Sequence, residues 1–148
     1  MRLVTIDSSV LKKYCEDTEM LHKAKRPSAL IVKLTYKGHR YSFAVPMRSN
    51  ISPSSPKDEY FPLPPASKTK PKYHHGLHYI KMFPIKISNT HPYHTEGNIF
   101  ASLCKSIIDA HEKEIVHSCQ QYLANYEQGL HSQYSTDIDL LITKMLNS

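Results

Sequence analysis

The chain is partitioned by charge and by proline, and this partition limits its fold more than any single motif does. Residues 20–95 hold thirteen lysines and arginines but only two acids, Asp58 and Glu59, for a net +11. The flanks are acidic: residues 1–19 sum to −1 and residues 96–148 to −4, which leaves +6 for the whole chain. All ten prolines lie between Pro27 and Pro92. Proline breaks helix interiors, so long helices are confined to the last third, and the basic middle is left to strands, turns and loops. A single-sign field over such a stretch raises the local concentration of polyanions.

Periodicity agrees with that division. Arg2–Ile6 alternates as a short strand, and Asp7-Ser8-Ser9 offers helix N-caps ahead of Val10, Leu11 and Tyr14. Ala29–Tyr36 and Arg40–Pro46 flank the turn residues Lys37-Gly38-His39 and predict a β-hairpin. Asn50–Lys72 carries six prolines and no periodicity, which predicts a long loop. Leu77–Ile87 reads as a further strand, edge or bulged because of Pro84. Asn98–Tyr126 has no proline, and its spaced apolar residues predict one long helix or two. Thr136–Leu146 predicts another, capped by Ser135 or Thr136, with Ile138, Leu141, Ile142 and Met145 inward. With 148 residues, 40% of them hydrophobic, there is material for one core. The expectation is a single α+β domain over 1–148, with a basic β-rich part at 1–95 and an acidic helical part at 96–148.

Several function classes are excluded by what the residues lack. The longest clean apolar stretch, Ala29-Leu30-Ile31-Val32, falls far short of the roughly 20 residues a membrane span needs. The first residues lack the apolar stretch of a secretory signal, so a soluble cytoplasmic protein is expected. Cys15, Cys104 and Cys119 form no C-x-x-C pair and are expected to be reduced thiols. With only Gly38, Gly76, Gly97 and Gly129, no phosphate-binding glycine loop and no G-x-S-x-G elbow can be drawn. His74, His75 and His78 would converge on a metal only in a helix, and their setting reads as strand. The basic stretch lacks the carboxylates that two-metal nuclease chemistry requires. No metal and no cofactor are expected.

What remains is polyanion chemistry. The cations of residues 20–95 are interleaved with Tyr36, Tyr41, Phe43, Tyr60, Phe61, Tyr73, Tyr79, Phe83 and Tyr93. Cations for phosphates and flat rings for unstacked bases suit single-stranded RNA or DNA. RNA can also be cleaved without a metal, because its own 2′-hydroxyl attacks the adjacent phosphorus. The protein need only move protons and neutralise charge, which Arg, Lys, His, Ser and Tyr can do. A non-catalytic module for a structured small RNA fits the same composition. So does an interaction protein whose acidic tail docks on a basic partner.

An ordered set of short motifs carries a family resemblance. The set is the strand and Ser-capped helix of Met1–Ser9, Lys25-Arg26-Pro27, the hairpin with Gly38-His39-Arg40-Tyr41, Pro46-Met47-Arg48-Ser49-Asn50, and Gly76-Leu77-His78-Tyr79-Ile80-Lys81. In this order the chain resembles the endoribonuclease toxins of type III toxin–antitoxin systems, the ToxN/AbiQ superfamily, and is closer to the CptN and TenpN branches than to ToxN. The likeness covers most of residues 1–90, and the helical tail in outline.

The resemblance implies a PemK/MazF-like fold, a compact twisted barrel-like core with surrounding helices. It implies metal-independent, sequence-specific cleavage of cellular mRNA to 2′,3′-cyclic phosphate ends. It also implies a partner, a small repeated pseudoknot RNA that the toxin processes and that inhibits it in a closed RNA–protein assembly, with a role in abortive infection. Neither DNA nor a membrane is an expected partner.

Carried onto this sequence, the family serine falls on Ser49, beside Arg48 where ToxN has Ser or Thr. The string Ser54-Ser55-Pro56-Lys57 offers a second register for the same motif. The basic residue before the hairpin falls on Arg26, the later-strand lysine on Lys81, and a ToxN tyrosine is replaced by His22. In this reading Ser49 and Arg48 bind the scissile phosphate, Arg26 and Lys81 stabilise the charged intermediate, and His22, assisted by Tyr79, shuttles a proton. Lys23, Lys25, Arg40, Lys57, Lys68, Lys70, Lys72, Tyr73, His74 and His75 are the expected RNA contacts.

Overall fold

The computed structural model describes residues 1–147. β1 (Arg2–Ile6) leads into α1 (Ser8–Lys13), which Asp7 caps by accepting from the Ser9 amide. β2 (Ser28–Tyr36) and β3 (His39–Ile51) form the predicted hairpin, the longest pairing in the molecule. Lys37 and Gly38 both have positive φ, 50° and 78°. That is the backbone a two-residue hairpin turn needs to match the strand twist. β4 (Tyr60–Leu63), β5 (His74–His78), β6 (Phe83–Pro84) and β7 (Thr90–Pro92) follow. The chain ends in α2 (Ile99–Ala110), α3 (Glu112–Glu127) and α4 (Ile138–Leu146).

The strands make one antiparallel sheet in the order β4-β5-β3-β2-β1-β7, with β6 paired to β3 beside that path. Alternation along the strands sends apolar side chains to both faces. Leu3, Ala29, Ile31, Phe43 and Val45 pack towards Cys104, Ile108, Ile115, Cys119 and Leu123 of α2 and α3. Val4, Ile6, Leu30 and Ala44 pack towards Val10, Leu11 and Tyr14, Leu141 and Met145 of α4, and Phe83. Covering of both faces explains why the middle of β2 reads as a continuous apolar run.

The α+β class and the helical last third are as expected, but the barrel is not found. The sheet is open, because β4 and β7 stand at opposite ends of the strand order and do not pair. Helices cover its faces instead of the sheet closing on itself. The predicted loop 50–72 also contains a strand, β4, whose exposed Pro62 is tolerated at a sheet edge. The predicted strand 77–87 is broken into β5, a 3-10 turn at Tyr79–Lys81 and the two residues of β6. α4 is capped by Asp137, which accepts from the Leu140 amide at 3.1 Å, and not by Ser135 or Thr136. All three cysteines are free thiols. No helix among the described residues is long and apolar enough to cross a membrane.

Candidate functional site

The register of β3 on β5 sets Arg48 opposite Gly76, and the 3-10 turn after β5 carries Lys81. The turn after β3 returns Ser54 and Ser55 to the same place. Ser54 is held by Ser52, whose Oγ lies 3.0 Å from Ser54 Oγ, and the Ser55 amide donates to the Ser52 carbonyl. Together with Glu19, Glu59, His78 and Tyr134, these residues line a cleft of about 520 Å³.

Lys81 is only 5% exposed. Its Nζ donates to Glu19 Oε1 at 3.1 Å and to the Tyr134 carbonyl at 2.7 Å. His78 is 3% exposed, and neither ring nitrogen has a hydrogen-bond partner among the described residues. Burial first, then the charges of Arg48, Lys81 and Arg26, pushes its pKa down to about 3. The ring is therefore neutral at physiological pH, with a buried, unpartnered acceptor beside three cations. Buried polar groups without partners are uncommon, and a ligand is one explanation for them. Arg26 does not line the cleft, but its charge reaches His78 and Arg48. Its Nη1 donates to the Met47 carbonyl at 2.8 Å, while its buried Nε has no partner among the described residues. Burial, and then the Arg48 charge, lowers its pKa.

The structure thus brings Arg48, Lys81, Ser54 and Ser55 together, with Arg26 acting on them through its charge. Ser49, one residue along the strand from Arg48, does not line the cleft. His22 is exposed, and its Nε2 lies 3.2 Å from the Asp17 carbonyl, also away from the cleft. Tyr79 is buried, shares a hydrogen bond with Ser118 and faces a neighbouring cavity. The sequence offers His78 as a metal-ligand candidate and within the Gly76–Lys81 motif, and carries no local signal for Glu19. Among the described residues no three His, Cys, Asp or Glu side chains converge on a metal position.

The expected RNA contacts divide. Lys23, Lys25, Arg40, Lys57, Lys68, Lys70 and Lys72 are exposed. Asn50 clamps the lysine-rich segment, accepting from the Lys70 amide at 2.8 Å and donating to the Lys68 carbonyl at 3.1 Å. Lys70 Nζ lies 5.7 Å from the centroid of the Tyr73 ring, which is 39% exposed. His74 stacks on Tyr60 at 5.0 Å. His75 is buried instead, with Nδ1 2.8 Å from the Pro64 carbonyl, so its ring is spent on the fold. The same holds for most of the interleaved rings, since Tyr36, Phe43, Tyr60, Phe61, Tyr79 and Phe83 are core residues.

No protein-family model and no curated protein matches the sequence. Solved structures do match the fold over the whole chain. One, from work on a bacterial antiviral system regulated by a processed non-coding RNA, aligns with a TM-score of 0.73 at 18% identity, covering 100% of this chain and 99% of that one. A second, from a bacterial type III toxin–antitoxin system whose toxin is inhibited by a non-coding RNA pseudoknot, aligns at 0.74 and 12% identity, covering 99% and 96%. A third is AbiQ, a lactococcal anti-phage endoribonuclease of a type III system, at 0.69 and 12% identity with the same coverage. The chain shares its fold with these three structures, two of which come from type III toxin–antitoxin systems.

Proposed function

We propose that this protein is the endoribonuclease toxin of a type III toxin–antitoxin system. In this reading it acts in the cytoplasm, cleaves RNA at preferred sequences without a metal, and leaves 2′,3′-cyclic phosphate ends. Its inhibitor is a small pseudoknot RNA that it processes from a repeated precursor. The observation that carries the reading is the cleft, where Arg48, Lys81 and an unpartnered, neutral His78 meet the hydroxyls of Ser54 and Ser55 on this fold.

Each group has a role that its chemistry suits. Arg48 and Lys81 hold the scissile phosphate, with Arg26 adding positive potential. His78 accepts the proton of the 2′-hydroxyl as that oxygen bonds to phosphorus. The P–O5′ bond then breaks, the departing oxygen takes a proton from the Ser54–Ser55 hydroxyls, and these recover one through solvent as the His78 imidazolium releases the proton it took. A bound phosphate cancels part of the cationic repulsion on His78 and so raises its basicity as substrate binds. On this assignment the serine motif is read in the Ser54-Ser55-Pro56-Lys57 register in preference to Ser49.

The test is incubation with a mixed mRNA pool in excess EDTA, using the wild type, Ser55→Ala, Ser49→Ala and Arg48→Ala. Discrete fragments with cyclic phosphate ends that persist in Ser49→Ala and fade in the other two support the assignment. Tight RNA binding with no cleavage under any condition leaves a non-catalytic RNA-binding module and removes the enzyme.

A further inference from the structure

A second cavity, of about 620 Å³, opens beside the cleft, between β4 and α3. The two share Glu59, Ile80 and Ser132 as common lining. A strand whose phosphate lies on Arg48 can therefore place an adjoining nucleotide in the neighbouring cavity. We propose that this second cavity binds an unstacked base of the RNA and contributes to the choice of cleavage site. The inference rests on the reading of the first cleft as the phosphate site.

Three observations favour a base there over backbone phosphate. The charge is of the wrong sign for phosphate, because the lining includes Asp58, Glu59 and Glu114 against Lys57 alone. Carboxylates repel phosphate but accept from base N–H groups. Exposed, immobilised rings supply a stacking surface. The His131 ring lies flat on the buried Tyr126 at 4.0 Å and 12°, leaving its outer side for a base, and His111 is braced by Phe61 at 5.4 Å and sits 2.9 Å from the Ile107 carbonyl. Rings already fixed by the protein lose little freedom when a base stacks on them. Finally, Gln121 Nε2 donates to Asn125 Oδ1 at 3.1 Å. The pair keeps a free carbonyl on Gln121 and a free N–H on Asn125, one acceptor and one donor, which is the complement of a base edge.

Binding is tested apart from cleavage with fluorescent octamers whose 2′-hydroxyls are methylated and cannot attack. The probes are strands of A, of C, of U and of alternating G and U, with an abasic ribose–phosphate octamer as reference. Anisotropy titrations use the wild type, His131→Ala and the double variant Gln121→Ala/Asn125→Ala, each checked for an unchanged melting temperature. At least one base-bearing strand is expected to bind about tenfold more tightly than the abasic strand, the order of one stacked base. Both variants should lose most of that advantage and keep the wild-type affinity for the abasic strand. No advantage for any base, or equal loss on the abasic and base-bearing strands, overturns the proposal. RNA cleavage with no base advantage removes the base site and leaves the nuclease. A base advantage without cleavage removes the nuclease and leaves the base site.

Discussion

Lys81 and Glu19 form an ion pair across the floor of the cleft, 3.1 Å apart, with the lysine side chain 6% exposed and the glutamate 37%. The Glu19 carboxylate occupies the kind of position a phosphate oxygen would take against the same ammonium. It therefore competes with RNA for Lys81. Glu19→Gln should tighten RNA binding by roughly twofold to fivefold, the range set by partly exposed ion pairs. Filter binding at low salt checks this, and weaker binding in the variant would show that Glu19 positions Lys81 instead of competing for it.

Arg48 makes no ion pair among the described residues and faces two other cations and His78. Arg48→Ala should therefore leave stability unchanged or slightly higher, because repulsion is relieved. Cleavage should fall about a hundredfold or more, as when a donor to developing charge is removed. Melting temperature and cleavage rate measured on one preparation separate the two effects, and a variant that loses both identifies Arg48 as structural.

RNA affinity overall should fall steeply with salt. Phosphate contacts release counterions, so log K falls by roughly 0.7 per neutralised phosphate of a single strand for each unit of log salt. The exposed Lys68, Lys70 and Lys72 supply such contacts. Their triple alanine variant should show a shallower slope by about two in the same plot. An unchanged slope would place the RNA elsewhere.

Elements with a strong period were legible: the hairpin from alternation around Lys37-Gly38, and the tail helices from their apolar spacing. β4 was hidden because Pro62 argues against a strand unless it is known to lie at an edge. The rings counted as RNA platforms were core residues because tyrosine in a strand has the same signature whichever side it faces. The cleft itself draws on residues near 19, 48, 54, 78 and 132. The β3–β5 register, Arg48 on Gly76, and the β3–β6 pairing just after Lys81 bring the two central segments together, and nothing local in the sequence specifies either register.

The close approach of β5 to β4 beside that register is itself testable. A side chain on Gly76 would place its Cβ 2.1 Å from the Phe61 carbonyl oxygen, in the backbone of the neighbouring strand. Gly76→Ala should destabilise the fold by about 1–3 kcal/mol, the usual cost of overpacking. Its effect on cleavage should exceed that of an equally destabilising core variant, because the strand that moves carries His78. Denaturant melts alongside cleavage assays at a temperature where both variants stay folded distinguish the two.

His78 contributes to the loss of stability in acid. Its folded pKa of about 3 lies below the ordinary histidine value of 6.5. Between those values the unfolded chain binds a proton that the native cleft refuses, so unfolding becomes easier as pH falls. The contribution is fully present above pH 6.5 and is lost progressively towards pH 3. Buried His75, whose pKa burial also lowers, acts in the same direction. His78→Gln should flatten the dependence, leaving His75 and the carboxylates, with the slope reduced by up to about 1.4 kcal/mol per pH unit near pH 5. Urea melts at pH 7.5, 6 and 5 measure this. Equal slopes for variant and wild type would mean that the His78 ring is hydrated in the native cleft and binds its proton as readily as in the unfolded chain, and the account of a dry, cation-repelled imidazole would fall with that result.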